Sequence, residues 1–382
     1  MATKRWFPGH YVQAFDQQSR TTLVESERLL VSSNDNFKGY QIAVWWDQIE
    51  PSFGVYDFTE VLEALDRADS TGKKCWIRFI DRAFQGFQFG RPFPTYLDNA
   101  PYGWYIDGGT MVAPKLWETS TGERWLLAWE ALITACDSHP ACQGFTTEEY
   151  EAQGAYTQHG PSGIILMDAF WLEASRRGNL KAVNSLIHIN TGYAYSRTRA
   201  SLYTISSQMV SHCSGLGPTD IIRTYIGPGA PQPAESTAFG TYIFKDPSEG
   251  HRGETFFKMS YEWGAYDGTD SPSSIIDYAH ETYRCQFITW DPDRTSGGNY
   301  SWSTVLSAVN SSSGKIWSTK PTNVVAYDNQ TTEPPVIYDP IPVPQVGSWF
   351  AKLSGGLNTW TTRAASAPSP GTAGRPRRIR FQ

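Results

Sequence analysis

Short apolar, β-branched runs recur along the chain, most of them separated by stretches whose apolar positions fall three and four residues apart. Trp6–Val12 is a brief apolar opening, Thr21–Val31 has helix-forming composition, and Tyr40-Gln41-Ile42-Ala43-Val44-Trp45 reads as a strand. After Pro51 and Gly54, residues Val61, Leu62, Leu65 and Ala68 share one helical face up to the stop at Gly72. Cys75–Ile80 is the next strand. Strand, helix, glycine, strand is the order of a βαβ unit in a parallel sheet.

The alternation continues. A helix over Glu123–Asp137 carries Trp125, Leu126, Trp129, Leu132 and Ile133, and His139-Pro140 ends it before a strand at Cys142. Helix Gly163–Arg177, strand Ser185–Asn190, helix Arg199–His212 and strand Asp220–Ile226 follow, then strands opening at Phe256 and Gln286 with helix Ser273–Arg284 between them. Strand starts at Trp6, Tyr40, Cys75, Cys142, Ser185, Asp220, Phe256 and Gln286 make eight, mostly at spacings of roughly 30 to 45 residues. The fold class predicted is α/β, a closed (β/α)8 TIM barrel over residues 1–314, with Thr304–Asn310 as its closing helix. Gly227–Gly253 shows Pro and Gly where a helix is due. Asp81–Thr121 is a long insertion rich in Gly, Pro and aromatics, a length that usually carries function. From 315 to 365 a Pro/Tyr-rich C-terminal extension reads as an extended segment packed on the barrel or leading away from it. Residues 366–382 read as a disordered basic tail ending in Arg375–Arg380.

Composition narrows the function classes. Charged residues are 18% of the 382 and the net charge is −6, so no field favours nucleic acid or an anionic membrane surface. Aromatics reach 14%, with 15 Trp and 20 Tyr; beyond core packing, such rings form the platforms on which sugar faces stack. The five cysteines, Cys75, Cys136, Cys142, Cys213 and Cys285, show no metal spacing and read as mostly reduced and buried, with a Cys136–Cys142 bridge the one pairing across a turn. The N-terminus lacks the apolar core of a signal peptide, and no run of about 18 apolar residues follows. A soluble protein is expected, whether cytoplasmic, exported by other means, or carried on a larger particle such as a virion. His10, His159, His188 and His251 show no ligand spacing, and no GxSxG or phosphate loop occurs, so no metal or cofactor is expected.

Two strand-like runs end in carboxylates. Phe256–Trp263 delivers Glu262 and Trp263, and Cys142–Tyr150 delivers Glu148 and Glu149. Active sites of such barrels form at the C-terminal ends of the strands, which gathers Trp45, Trp46, Asp47, Asp81, Arg82, Glu148, Glu149, Asn190, Tyr225, Glu262, Trp263 and Trp290 around one mouth. Two carboxylates flanking a glycosidic bond are the equipment of sugar hydrolysis, one protonating the leaving oxygen and the other attacking the anomeric carbon; about 5 Å between them makes the outcome retaining. The structural alternatives are a solvated helix start for Glu148, Glu149 and Glu151, and an ion pair for Glu262.

The chain here resembles clan A of the glycoside hydrolases, retaining (β/α)8-barrel enzymes. The resemblance rests on Trp46-Asp47-Gln48-Ile49-Glu50-Pro51 with Gly54 and Tyr56-Asp57-Phe58, on His139-Pro140 then Gly144-Phe145 before the fourth-strand glutamates, and on Glu262 on the seventh strand. It spans residues 6–312 and departs from the family pattern in one place: Glu148 stands where members carry asparagine before the acid. The resemblance implies Glu149 as acid/base, with Glu148 the competing assignment, and Glu262 as nucleophile. It also implies Tyr225 as a hydrogen-bond donor to the nucleophile and Trp290 as the floor beneath the sugar. Arg78 either holds a carboxylate inside the barrel or forms a structural pair; Asn190 and Trp263 join the mouth; Trp46 is either a stacking platform or core. The function expected is a retaining glycoside hydrolase cleaving a β-linked poly- or oligosaccharide. The competing reading is a carbohydrate-binding pseudo-enzyme or adhesion module, with the C-terminal tail as its attachment to a larger particle.

Overall fold

A computed structural model describes residues 3–84, 86–107, 111–148, 153–191, 199–217, 251, 253–262, 271–291 and 301–328, with the backbone alone for 107, 153, 199–202, 262, 282 and 328. Ten strands occur among these residues: β1 (Gly9–Gln13), β2 (Phe37–Trp45), β3 (Lys74–Ile80), β4 (Trp104–Asp107), β5 (Met111–Pro114), β6 (Cys142–Thr147), β7 (Leu186–Asn190), β8 (Gly215–Gly217), β9 (Lys258–Glu262) and β10 (Phe287–Asp291). Eight of them form one parallel sheet in the order β8-β7-β6-β3-β2-β1-β10-β9. A parallel bridge between Leu216 and Phe257 joins the two ends of that order. The sheet is therefore a barrel, and strands β4 and β5 are a separate antiparallel hairpin inside the insertion.

Helices follow the strands on the outside, the first six being α1 (Glu25–Ser32), α2 (Trp46–Ile49), α3 (Thr59–Asp69), α4 (Thr119–Cys136), α5 (Gln153–His159) and α6 (Pro161–Lys181) among the described residues. In α3 (Thr59–Asp69) the buried residues are Val61, Ala64, Leu65 and Ala68, a spacing that presents one stripe to the sheet. The 18-residue α4 (Thr119–Cys136) buries Trp125, Leu126, Trp129, Leu132, Ile133 and Cys136, and α6 (Pro161–Lys181) packs against it through Phe170 and Trp171. All five cysteines are free and buried.

Within the barrel the two-residue period of a strand sorts the side chains into two sets. Val12, Ile42, Val44, Ile77, Phe79, Phe145, Ile187, Met259, Ile288 and Trp290 belong to the cluster shared with the helices. Tyr11, Trp76, Leu186, Phe256 and Phe287 form a second cluster, the apolar floor inside the barrel. The floor leaves no room for side chains where neighbouring strands pass beneath it. A Cβ on Gly144 would lie 2.5 Å from the Trp76 ring and 2.6 Å from the Leu186 carbonyl, and one on Gly215 would enter the Phe256 ring. Below the floor the N-terminal segment is stapled on: Lys4 Nζ, buried, donates to the carbonyls of Ala182 at 2.5 Å and Ser185 at 2.9 Å.

The sixth barrel strand is Gly215–Gly217; the strand expected at Asp220–Ile226 lies outside the described residues. A Gly-Leu-Gly strand has none of the β-branched content that marks a strand, and its glycines are there because Phe256 and the Lys258 carbonyl occupy the space of a side chain. After residue 315 the chain is not wholly extended: Thr322–Asp328 is a helix, with Val324 packed under the barrel floor and Asn323 bonded to Thr255 and the Val210 carbonyl.

Gly144→Ala should lower stability by about 1–3 kcal/mol, the cost of forcing an extra methyl into a filled core. Thermal unfolding followed by circular dichroism would then show a melting temperature several degrees below wild type; an unchanged value would mean the floor can shift.

Candidate active site

The C-terminal ends of the eight strands define the mouth, and the inward positions just below it are polar. Arg78 lies on β3 in register with Thr146 of β6, so a long side chain directed along the strands reaches the residue two places further on. That residue is Glu148, immediately after β6. Arg78 Nε donates to Glu148 Oε1 at 2.7 Å and Nη2 donates to Oε2 at 2.8 Å, with both side chains 4% exposed or less. The paired fork of two parallel charge-assisted bonds is the geometry in which a buried ion pair recovers its desolvation cost. Beside it Asp81 and Arg82 form a second buried pair at 2.8 Å. On the β1–β3 side, Phe15, Ala43, Trp45 and Ile80 pack together, and the Arg78 guanidinium lies 5.8 Å from the Phe15 ring.

Around the ring, Asn190 ends β7, buried, its backbone N–H donating to Thr147 Oγ1 at 3.1 Å. Glu262 ends β9, three strands from β6 across the β8–β9 closure, and is the register partner of Asp291. Asp291 Oδ2 accepts from Gln13 Nε2 at 2.8 Å. One level lower, Lys258 Nζ donates to Gln41 Oε1 at 2.5 Å and sits 5.6 Å over the Trp76 ring, while Thr146 Oγ1 and His188 Nδ1 are 2.7 Å apart.

Of the residues expected at the site, Arg78, Glu148 and Asn190 are brought to the mouth, and Glu262 stands at the end of its strand. Glu149, Tyr225 and Trp263 lie outside the described residues. Two of the expected tryptophans lie elsewhere. Trp46 is fully buried and its Nε1 donates to Glu50 Oε2 at 2.8 Å; it is part of the helix-side core, not a sugar platform. Glu50 also accepts from the Gly54 N–H at 2.9 Å and from Arg124, so the Trp46–Gly54 motif clamps the loop after β2 onto α4. Trp290 has the outward parity of β10, is fully buried, and donates from Nε1 to His10 Nδ1 at 3.0 Å; an outward residue cannot be the floor beneath a sugar in the mouth. The sequence reading missed Gln13, Gln41, Lys258 and Asp291. Their signal was the alternation of polar and apolar residues in β9 (Lys258, Ser260, Glu262) and β10 (Thr289, Asp291), whereas Gln13 and Gln41 sit in otherwise apolar stretches of β1 and β2.

The whole barrel can be set beside known proteins on this geometry. Endo-glycoceramidase II from Rhodococcus sp. in its cellobiose-like isofagomine complex aligns at a TM-score of 0.51 and 12% identity, over 79% of this chain and 78% of that one. Its ganglioside GM3 complex aligns at 0.50 and 12%, over 81% of each chain. The β-1,4-D-mannanase from Cryptopygus antarcticus aligns at 0.48 and 10% identity, over 83% of this chain and 94% of that one. No family model matches the chain, and no curated protein matches it by sequence. At 12% identity the likeness to the endo-glycoceramidase is one of fold. Among the described residues, no helix is long and apolar enough to cross a membrane.

Three buried imidazoles in this barrel are held neutral. Burial is the main cause at each: it pushes His10 down to about 4, His212 to about 4, and His188 well below its ordinary value, with the Lys258 ammonium adding to the effect at His188. His10 accordingly accepts from Trp290 at Nδ1 and contacts the Lys315 carbonyl through Nε2. The unfolded chain takes up these protons near pH 6.5, whereas the fold excludes those of His10 and His212 until about pH 4, so stability is complete above pH 6.5 and falls as pH drops toward 4. At His10 the drop is worth on the order of 3 kcal/mol. Melting temperature measured from pH 7 to pH 4 should fall steadily below pH 6.5; a flat profile would mean the imidazoles are protonated in the fold.

Proposed function

We propose that the chain is a retaining glycoside hydrolase that cleaves a β-linked poly- or oligosaccharide by double displacement. The supporting observation is the polar mouth: on a barrel of glycosidase fold, a buried Arg78–Glu148 pair ends β6 while Glu262 ends β9, three strands away around the ring. Glu262 is assigned as nucleophile and Glu149 as acid/base. Both oxygens of Glu148 are engaged by Arg78, so adding a proton there would break one of two charge-assisted bonds. A general acid must carry and release a proton in each cycle. That suits Glu148 to an orienting role and leaves proton transfer to its neighbour. Because β6 ends at Thr147, the alternation of a strand does not oppose the two glutamates. The engagement of Glu148 also favours a second reading, a barrel that binds carbohydrate without cleaving it.

Glu262→Gln should abolish turnover of an aryl β-glycoside while the protein still folds. Glu149→Ala should lower kcat/KM on natural glycans by about 10²–10⁴-fold and spare aryl glycosides with good leaving groups, with azide restoring activity. Glu148→Ala should act differently, destabilising the fold by about 3–5 kcal/mol because the buried Arg78 guanidinium loses its two-bonded carboxylate partner. Leaving-group dependence and azide rescue in Glu148→Ala instead would move the acid by one residue. Glycan binding with no turnover by the wild type would establish the second reading.

A further inference from the structure

A chain of hydrogen bonds crosses the barrel interior beneath the mouth, and its direction is fixed by its ends. Lys258 Nζ donates to Gln41 Oε1 at 2.5 Å, Gln41 Nε2 donates to Gln13 Oε1 at 3.3 Å, and Gln13 Nε2 donates to Asp291 Oδ2 at 2.8 Å. An ammonium can only donate and a carboxylate can only accept, so flipping either amide would set donor against donor or acceptor against acceptor. The first three residues are buried, at 2%, 0% and 4% exposure, whereas Asp291 is half-buried at the rim. The four come from β2, β1, β10 and β9, which are consecutive in the sheet, so the chain ties together one half of the barrel wall. Buried polar groups are costly unless every member is matched, and this set is matched end to end in one orientation only.

What that arrangement fixes is a carboxylate oxygen at the end of β10, in register with Glu262. A preoriented acceptor beside the position of the attacking group takes hydrogen bonds from neutral sugar hydroxyls and repels an anionic sugar. We infer that Asp291 is the residue that reads the hydroxyls of the sugar unit held at the mouth, selecting neutral over acidic glycones, and that Gln13, Gln41 and Lys258 are positioning residues for it. The inference rests on the glycosidase reading for its substrate class. The β10 residue expected to meet the sugar was Trp290; the parity of the strand gives that place to Asp291.

The test compares wild type, Asp291→Asn, Gln13→Met and the double variant on 4-nitrophenyl β-glucoside, galactoside, mannoside, xyloside and glucuronide, by turnover and by calorimetric binding. Asp291→Asn should lower kcat/KM for the preferred neutral glycoside about 10- to 100-fold, the usual range for a hydrogen bond to a charged group. Its discrimination against the glucuronide should shrink at the same time. Gln13→Met should lower it less, and should add little when Asp291 is already Asn, since coupled residues are not additive. Melting temperatures check folding, and Asp291→Ser replaces Asp291→Asn if the amide variant does not fold. An unchanged sugar profile in a hydrolysing Asp291→Asn protein overturns the inference and leaves the glycosidase reading standing. Equal losses from Gln13→Met in both backgrounds overturn the positioning role. Binding without hydrolysis, weakened by Asp291→Asn, supports the inference while sinking the glycosidase reading; neither binding nor hydrolysis by wild type overturns both.

Discussion

A guanidinium and a carboxylate lie together inside the barrel, each at most 4% exposed, and the design of the mouth follows from keeping them there. Arg78 is charged at every accessible pH, so the barrel interior must supply a fixed anion or not contain the residue. Glu148 supplies it through two parallel bonds, which in turn sets how the chain leaves β6. The pair also requires a wall that excludes water on one side, and Phe15, Ala43, Trp45 and Ile80 provide one.

Beneath this level the barrel is layered by the strand period. The floor of Tyr11, Trp76, Leu186, Phe256 and Phe287 is apolar and filled, so ligands are confined to the upper end. Between floor and mouth comes a polar layer of Gln41, Thr146, His188 and Lys258, linked by bonds across strands that are far apart in sequence, Lys258 to Gln41 and Thr146 to His188. Placing Lys258 next to His188 works because the imidazole is neutral, and it is neutral because it is buried. Polar matching in this layer is what lets a charged upper layer sit over an apolar floor.

The repeating strand–helix order was legible in the sequence because βαβ units write two periods, one after the other, as in Tyr40–Trp45 followed by Val61–Ala68. Strand β8 was not, since its two glycines answer to Phe256 and Lys258, residues some forty positions later whose proximity only the closed barrel creates. Arg78 and Glu148 were both readable as candidates, but their bond depends on the β3–β6 register. Trp46 and Trp290 were ambiguous for one reason: an aromatic at a strand end looks the same whether it faces sugar or helix, and here parity turns Trp290 outward onto His10 while Trp46 is drawn into the Glu50–Arg124 clamp.

The most direct measurement is covalent trapping. A 2-fluoro aryl β-glycoside with a good leaving group forms the glycosyl-enzyme and slows its hydrolysis, so the attached residue can be read by peptide mass spectrometry. With Glu262 as nucleophile, the label falls on the peptide containing Glu262 and the wild type loses activity in step with labelling. Stoichiometric labelling of Glu148, Glu149 or Asp291, or inactivation with no covalent adduct, would contradict that assignment.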